Sequence, residues 1–232
     1  MAITTAPHRS GHPAHHGRPI LIAALIAVVA VVAAAIALLA SGSSGAAATQ
    51  TRTVAGFTSL DLAASNNVTI IVGRPQSVVV HADSSLIDHV TTEVVAGTLV
   101  IGDTGSFNAS GPMSVDVSVP SLAALSLSGS GQISATGISA PQLTVTVYGS
   151  GLVSAAGTAT RLDVTINGSG QAKLSQLTAH DVQAVINGSG LIQVTATTSL
   201  DATVPGSGTI IYSGNPTQVT TSVTGSGTVT RR

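Results

Sequence analysis

The residues able to do chemistry are few, and two aspartates are the first to test. Asp163 and Asp201 occupy the same position in a repeated unit, two repeats apart, with Gln183 between them. On stacked strands that places two carboxylates roughly 10 Å apart, near the upper end of the spacing used by inverting glycosidases. No second carboxylate falls in register beside either, so solvated strand residues are the expectation for both. His180-Asp181 offers an imidazole next to a carboxylate, but adjacent strand residues point to opposite faces. The densest titratable group is His81, Asp83, Asp88, His89 and Glu93. It carries no obvious nucleophile or oxyanion donor and is expected to be a surface cap. His8, His12, His15 and His16 bear ligand-type imidazoles, yet Pro7 and Pro13 interrupt that tail and nothing fixes a coordination geometry. No Gly-x-Ser-x-Gly elbow, phosphate loop or His-Glu-x-x-His helix is present. The sequence therefore assigns no catalytic residue, no cofactor and no metal.

What the chain does repeat is a corner. Gly-Ser-Gly occurs as Gly129-Ser130-Gly131, Gly149-Ser150-Gly151, Gly168-Ser169-Gly170, Gly188-Ser189-Gly190, Gly206-Ser207-Gly208 and Gly225-Ser226-Gly227, at steps of 20, 19, 20, 18 and 19 residues. A near-constant period of this length marks a stacked repeat architecture. Apolar residues sit two, four and six positions before each triplet: Leu143, Val145 and Val147; Leu162, Val164 and Ile166; Val182, Ala184 and Ile186; Leu200, Ala202 and Val204. Val219, Thr221 and Val223 close the series with one polar lapse. Period-two alternation is a half-buried strand. A second apolar column follows the triplets at Ile133, Val153, Ala172, Ile192, Ile210 and Val229. The expectation is an all-β chain, a single-stranded right-handed β-helix with laps of about 19 residues stacked about 4.8 Å apart around an aliphatic core. Glycine belongs at the corner because a sharp bend either requires positive φ or leaves no room for a Cβ. Asn167 and Asn187 are equivalent and should share an amide ladder. Asn-Gly also signals a hairpin, but the equivalent dipeptides elsewhere (Ser128-Gly129, Tyr148-Gly149, Pro205-Gly206, Thr224-Gly225) do not, so the solenoid is preferred.

Residues 54–119 carry β character without the triplets. Strands are expected over Val68–Val72, Val78–Val80, Val94–Val95 with Leu99–Ile101, and Val115–Val119, with a short helical turn around Ser84–His89 capped by Asp83. These irregular coils should form the N-terminal end of the stack, ahead of the triplet coils of 120–232.

Ile20 to Ala40 is an unbroken run of 21 Ala, Val, Ile and Leu residues. As a helix it measures about 30 Å, enough to cross a bilayer. Arg9 and Arg18 precede it and no charge follows within Ser41–Gln50, which places 1–19 in the cytoplasm and the rest outside. A cleaved signal is the rival, with Ala46 and Ala48 before Thr49, but the apolar run exceeds a usual signal core. Residues 41–53 read as a flexible spacer. The expected location is therefore the bacterial cell membrane, single-pass, with the domain 54–232 extracytoplasmic and the lipid bilayer engaged through 20–40. No cysteine is present, which excludes a lipoprotein anchor and disulfides.

With 7% charged and 2% aromatic residues and a net charge of -1, the chain has no basic face for nucleic acid. Its wet surface depends on Ser and Thr. The run Val54-Ala55-Gly56-Phe57-Thr58-Ser59-Leu60-Asp61-Leu62, the stretch VVVHADSSLIDHVTTEVVAGTLVI from Val78 to Ile101, and Val119-Pro120-Ser121-Leu122 leading into LSLSGSGQI together resemble the bacterial head GIN domain family, described as auto-transporter adhesin heads. The resemblance implies a β-helical exported domain, often anchored to the envelope, and brings no catalytic residues. Function is thus expected to be non-catalytic surface binding or structural, with an envelope polymer or protein as partner. An enzyme acting on envelope polysaccharide is the alternative. The final coil, Gly225–Arg232, exposes a strand edge guarded by Arg231 and Arg232, which makes self-association through that end a further expectation.

Overall fold

The computed structural model describes residues 46–105 and 113–232. Segments 1–19 and 20–40, with the tail histidines and the expected membrane span, lie outside them. Among the described residues no helix is long and apolar enough to cross a membrane.

Among the described residues, fifteen strands form one continuous hydrogen-bonded system: β1 Ala47–Arg52, β2 Ser59–Leu62, β3 Asn67–Val72, β4 Ser77–Asp83, β5 Val90–Val95, β6 Thr98–Asp103, β7 Ser114–Val119, β8 Ala124–Leu127, β9 Gln132–Val147, β10 Leu152–Ile166, β11 Gln171–Ile186, β12 Leu191–Val204, β13 Thr209–Gly214, β14 Gln218–Val223 and β15 Thr228–Arg231. It is a β-solenoid. The long strands β9 to β12 bend mid-way, so that each pairs in parallel with the next lap along two faces. The expected columns are the core. Ile133, Val153, Ala172, Ile192 and Ile210 are aligned in register and buried. Leu143, Leu162, Val182 and Leu200 likewise lie one above the other and buried on the opposite face. Parallel pairing of β10 with β11 disposes of the hairpin that Asn167-Gly168 and Asn187-Gly188 could have signalled, and Asn187 Nδ2 donates to Asn167 Oδ1 at 2.8 Å as a rung.

The triplet glycines are explained by proximity rather than by dihedral freedom, since none of them has positive φ. A Cβ on the first glycine would collide with the carbonyl oxygen one lap below: on Gly168 it would lie 2.7 Å from the Gly149 oxygen. A Cβ on the second glycine would meet the last apolar side chain of the preceding lap, 2.6 Å from Val147 Cγ1 at Gly170 and 2.8 Å from Ile166 Cγ2 at Gly190. The serine between them is exposed at every corner. Positive φ is used at the other corner, where Gly157 at 138° also faces the Ile138 carbonyl.

The N-terminal region departs from simple winding. β2 lies between β6 and β8, and β3 between β7 and β9, all parallel, so the first lap of the chain is sandwiched between two later ones. β4 and β5 run the other way, antiparallel to β7 and β6. The irregular coils of this region stand at the N-terminal end of the stack, but not in chain order. The reversal is made by Ala96 and Gly97, both with positive φ (48° and 77°), as a tight two-residue hairpin turn requires. Between β4 and β5 stands a 3-10 turn, Ile87–His89, that buries Leu86 and Ile87 over the end of the core. Asp83 does not cap it through its side chain; the Asp83 carbonyl instead accepts from the Leu86 amide at 2.8 Å. Residues 47–52, expected within a flexible spacer, pair antiparallel with β4 as β1.

Two stability contrasts follow from this packing. Gly170→Ala is expected to cost about 1–3 kcal/mol, whereas Gly56→Ala, with nothing within 4 Å of the added Cβ, should stay within about 0.5 kcal/mol. Thermal denaturation of the full chain checks the difference, and equal melting shifts would show that the laps are not in close contact. Leu162→Ala, at a fully buried site, should cost about 2–5 kcal/mol. Val219→Ala, at 43% exposure, should cost about 1 kcal/mol or less by the same measurement.

Candidate functional site

Strand alternation sends the polar residues of β9 to β12 outward, and register decides which of them meet. On the face built by the C-terminal halves of these strands, Thr144, Asp163, Gln183 and Asp201 stand in one column, and Gln142, Arg161, Asp181 and Ser199 in the next. Gln142 Nε2 donates to Asp163 Oδ2 at 2.8 Å and Arg161 Nε to the same oxygen at 3.0 Å. Arg161 Nη2 lies 2.8 Å from Asp163 Oδ1 as an ion pair outside hydrogen-bond alignment, and donates to Gln183 Oε1 at 3.1 Å. The hydrogen bond with Asp163, and then its charge, hold the exposed Arg161 guanidinium above its ordinary pKa. Asp181 accepts from Ser199 Oγ. Gln183 does separate Asp163 from Asp201, and the Asp163 carboxylate is occupied by a neighbouring cation and amide. His180 and Asp181 both lie outside the core, at the bend between buried Ala179 and Val182, so the expected alternation is interrupted there, and no hydrogen bond links the two side chains.

The group at 81–93 is not brought together as one site. His81 and Asp83 lie on β4, Asp88 and His89 in the 3-10 turn and Glu93 on β5. His89 Nδ1 bonds the Thr104 carbonyl oxygen at 2.8 Å. His81 makes partners that its sequence neighbourhood does not reveal: Nδ1 lies 3.1 Å from Thr49 Oγ1 and Nε2 3.1 Å from Asp116 Oδ2. A neutral ring with its proton on Nε2 satisfies both bonds, accepting from the threonine and donating to the carboxylate. The hydroxyl–imidazole–carboxylate order resembles a nucleophilic relay, but the three groups sit on the open outward face of β1, β4 and β7, where they bind those strands to one another. Arg52, at the end of β1, donates from Nη2 to the Ile87 and Val90 carbonyls at 2.9 and 3.2 Å. Burial lowers its pKa, with Asp88 acting in the opposite sense. Among the described residues, no three His, Asp or Glu side chains gather as metal ligands would.

The concave surface is shallow and lined by hydroxyls and amides. A groove of about 400 Å³ runs along the bend between the faces, bordered by Ser139, Pro141, Thr158, Thr160, Thr178 and His180. Ala159 and Ala179 point inward there, which narrows the bend and leaves Thr158, Thr160 and Thr178 outside. A second groove of about 240 Å³ lies on the face built by the N-terminal halves of the long strands, bordered by Ser134, Ser154, Lys173, Ser175, Gln176 and Gln193. Such surfaces can hydrogen-bond a polyhydroxylated chain lying across several laps. Neither groove is identified by the sequence, because alternation marks these residues as outward without showing which outward columns border a groove.

The same architecture is found in a crystal structure described as a "putative adhesin" from Bacteroides fragilis NCTC 9343, with 24% identity and a TM-score of 0.68 over 81% of this chain and 97% of that one. A second, described as a "putative lipid binding protein" from Parabacteroides distasonis ATCC 8503, has 22% identity and a TM-score of 0.52 over 80% of this chain and 96% of that one. No curated protein matches the sequence. Residues 56–216 match the family model described as "Putative auto-transporter adhesin, head GIN domain", and the chain belongs to that family.

Proposed function

We propose that the chain is an exported adhesin-type head, held at the bacterial membrane by residues 20–40, that binds an envelope or surface polymer through its solenoid faces without chemical turnover. The observation that carries this reading is the contrast between the carboxylates and the grooves. Asp163, the best-placed candidate acid, is taken up by Arg161 and Gln142, whereas hydroxyls and amides border long open surfaces. Family membership agrees with it. Self-association through the lap made by β14 and β15 belongs to the same proposal. Val219 and Val223 are exposed there, and the outer backbone edge of a last strand invites a further strand. Arg231 guards that edge less than its charge suggests, because its Nη2 is bound to the Gly214 carbonyl oxygen and Asn215 Oδ1 at 2.9 and 2.8 Å.

Immobilised full chain should retain sonicated envelope fragments while the number of reducing ends in the bound material stays constant. Release of reducing ends that disappears with Asp163→Asn or Asp201→Asn would overturn the non-catalytic role in favour of a polysaccharide-cleaving enzyme. Light scattering of the full chain should show a concentration-dependent dimer, strengthened by replacing Arg231 and Arg232 with Ala. A monomer in both proteins removes the self-association.

A further inference from the structure

Both outward faces of the long strands carry bonds between polar side chains on successive laps, Thr195 with Ser213 on one of them, but one register column on that face stays unbonded. On the face of Asp163, the side chains bond to one another across laps: Gln142 to Asp163, Arg161 to Asp163 and Gln183, and Ser199 to Asp181. On the other face, Ser134, Ser154, Lys173 and Gln193 lie in one register column on successive strands β9 to β12. None of these four side chains has a hydrogen bond or ion pair within the described residues. Lys173 is the only lysine in the chain and the only formal charge on this face from β9 to β13. It is held between buried Ala172 and Leu174, so strand geometry fixes its direction, and the column borders the groove of about 240 Å³.

Building on the surface-binding role proposed above, we infer that this column is a track for an acidic polysaccharide, with Lys173 receiving a sugar carboxylate and Ser134, Ser154 and Gln193 bonding the neighbouring hydroxyls. The charge pattern selects this occupant. One ammonium among four laps, spaced about 4.8 Å apart, matches a polyhydroxylated chain with widely spaced single charges. A polymer charged at every unit would place most of its charges against uncharged side chains. An unpaired ammonium gives a carboxylate a charge-assisted bond, and the free hydroxyls and amide can donate to or accept from sugar hydroxyls. The hydroxyl-lined groove at Thr158 and Thr178 has no lysine or arginine on its border and so distinguishes less between neutral and acidic chains.

The test uses the full chain and its Lys173→Ala, Lys173→Arg and Lys173→Glu variants, with hyaluronan fragments as the acidic probe, dextran of equal length as the neutral one and polyglycerol phosphate as the densely charged one. The original chain should bind hyaluronan in preference to both others. Lys173→Ala should weaken that binding about tenfold or more, Lys173→Glu should abolish it, and Lys173→Arg should retain most of it. Melting temperatures should be unchanged, since Lys173 is exposed and has no partner to lose. Unchanged hyaluronan binding in Lys173→Ala, or a preference for dextran or polyglycerol phosphate, overturns the inference. Absence of hyaluronan binding together with normal retention of envelope fragments overturns the acidic track alone; loss of both overturns the surface-binding role as well.

Discussion

The structure depends on how closely one lap can lie on the next. Parallel strands about 4.8 Å apart leave no space at a corner for a side chain that points along the stack. That is why the first glycine of each triplet faces the carbonyl of the glycine below it, from Gly149 over Gly129 through to Gly225 over Gly206. The second glycine makes room for a branched aliphatic side chain that closes the core, as Gly170 does for Val147. Corner and core are therefore one constraint. It keeps Leu127, Val147, Ile166 and Ile186 in one dry column, and on the outside it keeps polar residues in straight files. Which outward side chains bond one another is a consequence of those files, because each outward residue can reach only its neighbours on the laps above and below.

The ends of such a stack cannot follow the same rule. At the N-terminal end, two reversed strands, a 3-10 turn carrying Leu86 and Ile87, and the added β1 close the core. Charged side chains are concentrated here, and they act as fasteners: Arg52 on two carbonyls and His81 between Thr49 and Asp116. Asn66, the one buried polar residue among those described, donates to Asp103 Oδ1 at 2.9 Å in the same region. At the far end Arg231 is the fastener, tied to the Gly214 carbonyl and Asn215, and Val219 and Val223 stay partly in solvent.

Much of this could be seen in the residues alone, for a definite reason. Where a unit repeats, neighbours in space are equivalent in sequence, so the triplets, the columns ending at Val147, Ile166, Ile186 and Val204, and the Asn167–Asn187 rung were all legible. Where the repeat fails, the link is lost. Period-two alternation identified β3, β4 and β7 as strands, but alternation carries no direction and no strand order, so neither the reversal of β4 and β5 nor the placement of β2 between β6 and β8 could be read. Ala96-Gly97 was the local sign of the reversal, an unusual left-handed pair rather than the Asn-Gly that hairpins favour. Residues 47–52 resemble a spacer in composition and are a strand only because β4 offers them an edge. The partners of His81 are 32 and 35 residues away, beyond the reach of any spacing rule.

The sandwiched position of β2 and β3 sets the order in which the molecule can be assembled. Their only strand partners come from residues 98–103, 114–119, 124–127 and 132–136, all made afterwards. β2 therefore waits for residues 98–103 for its first strand partner, β3 for 114–119, and neither is flanked on both sides until residues 124–127 and 132–136 have followed, so closure at that end is a late event that vectorial synthesis cannot hurry. The regular laps, each needing only its immediate predecessor, are under no such delay.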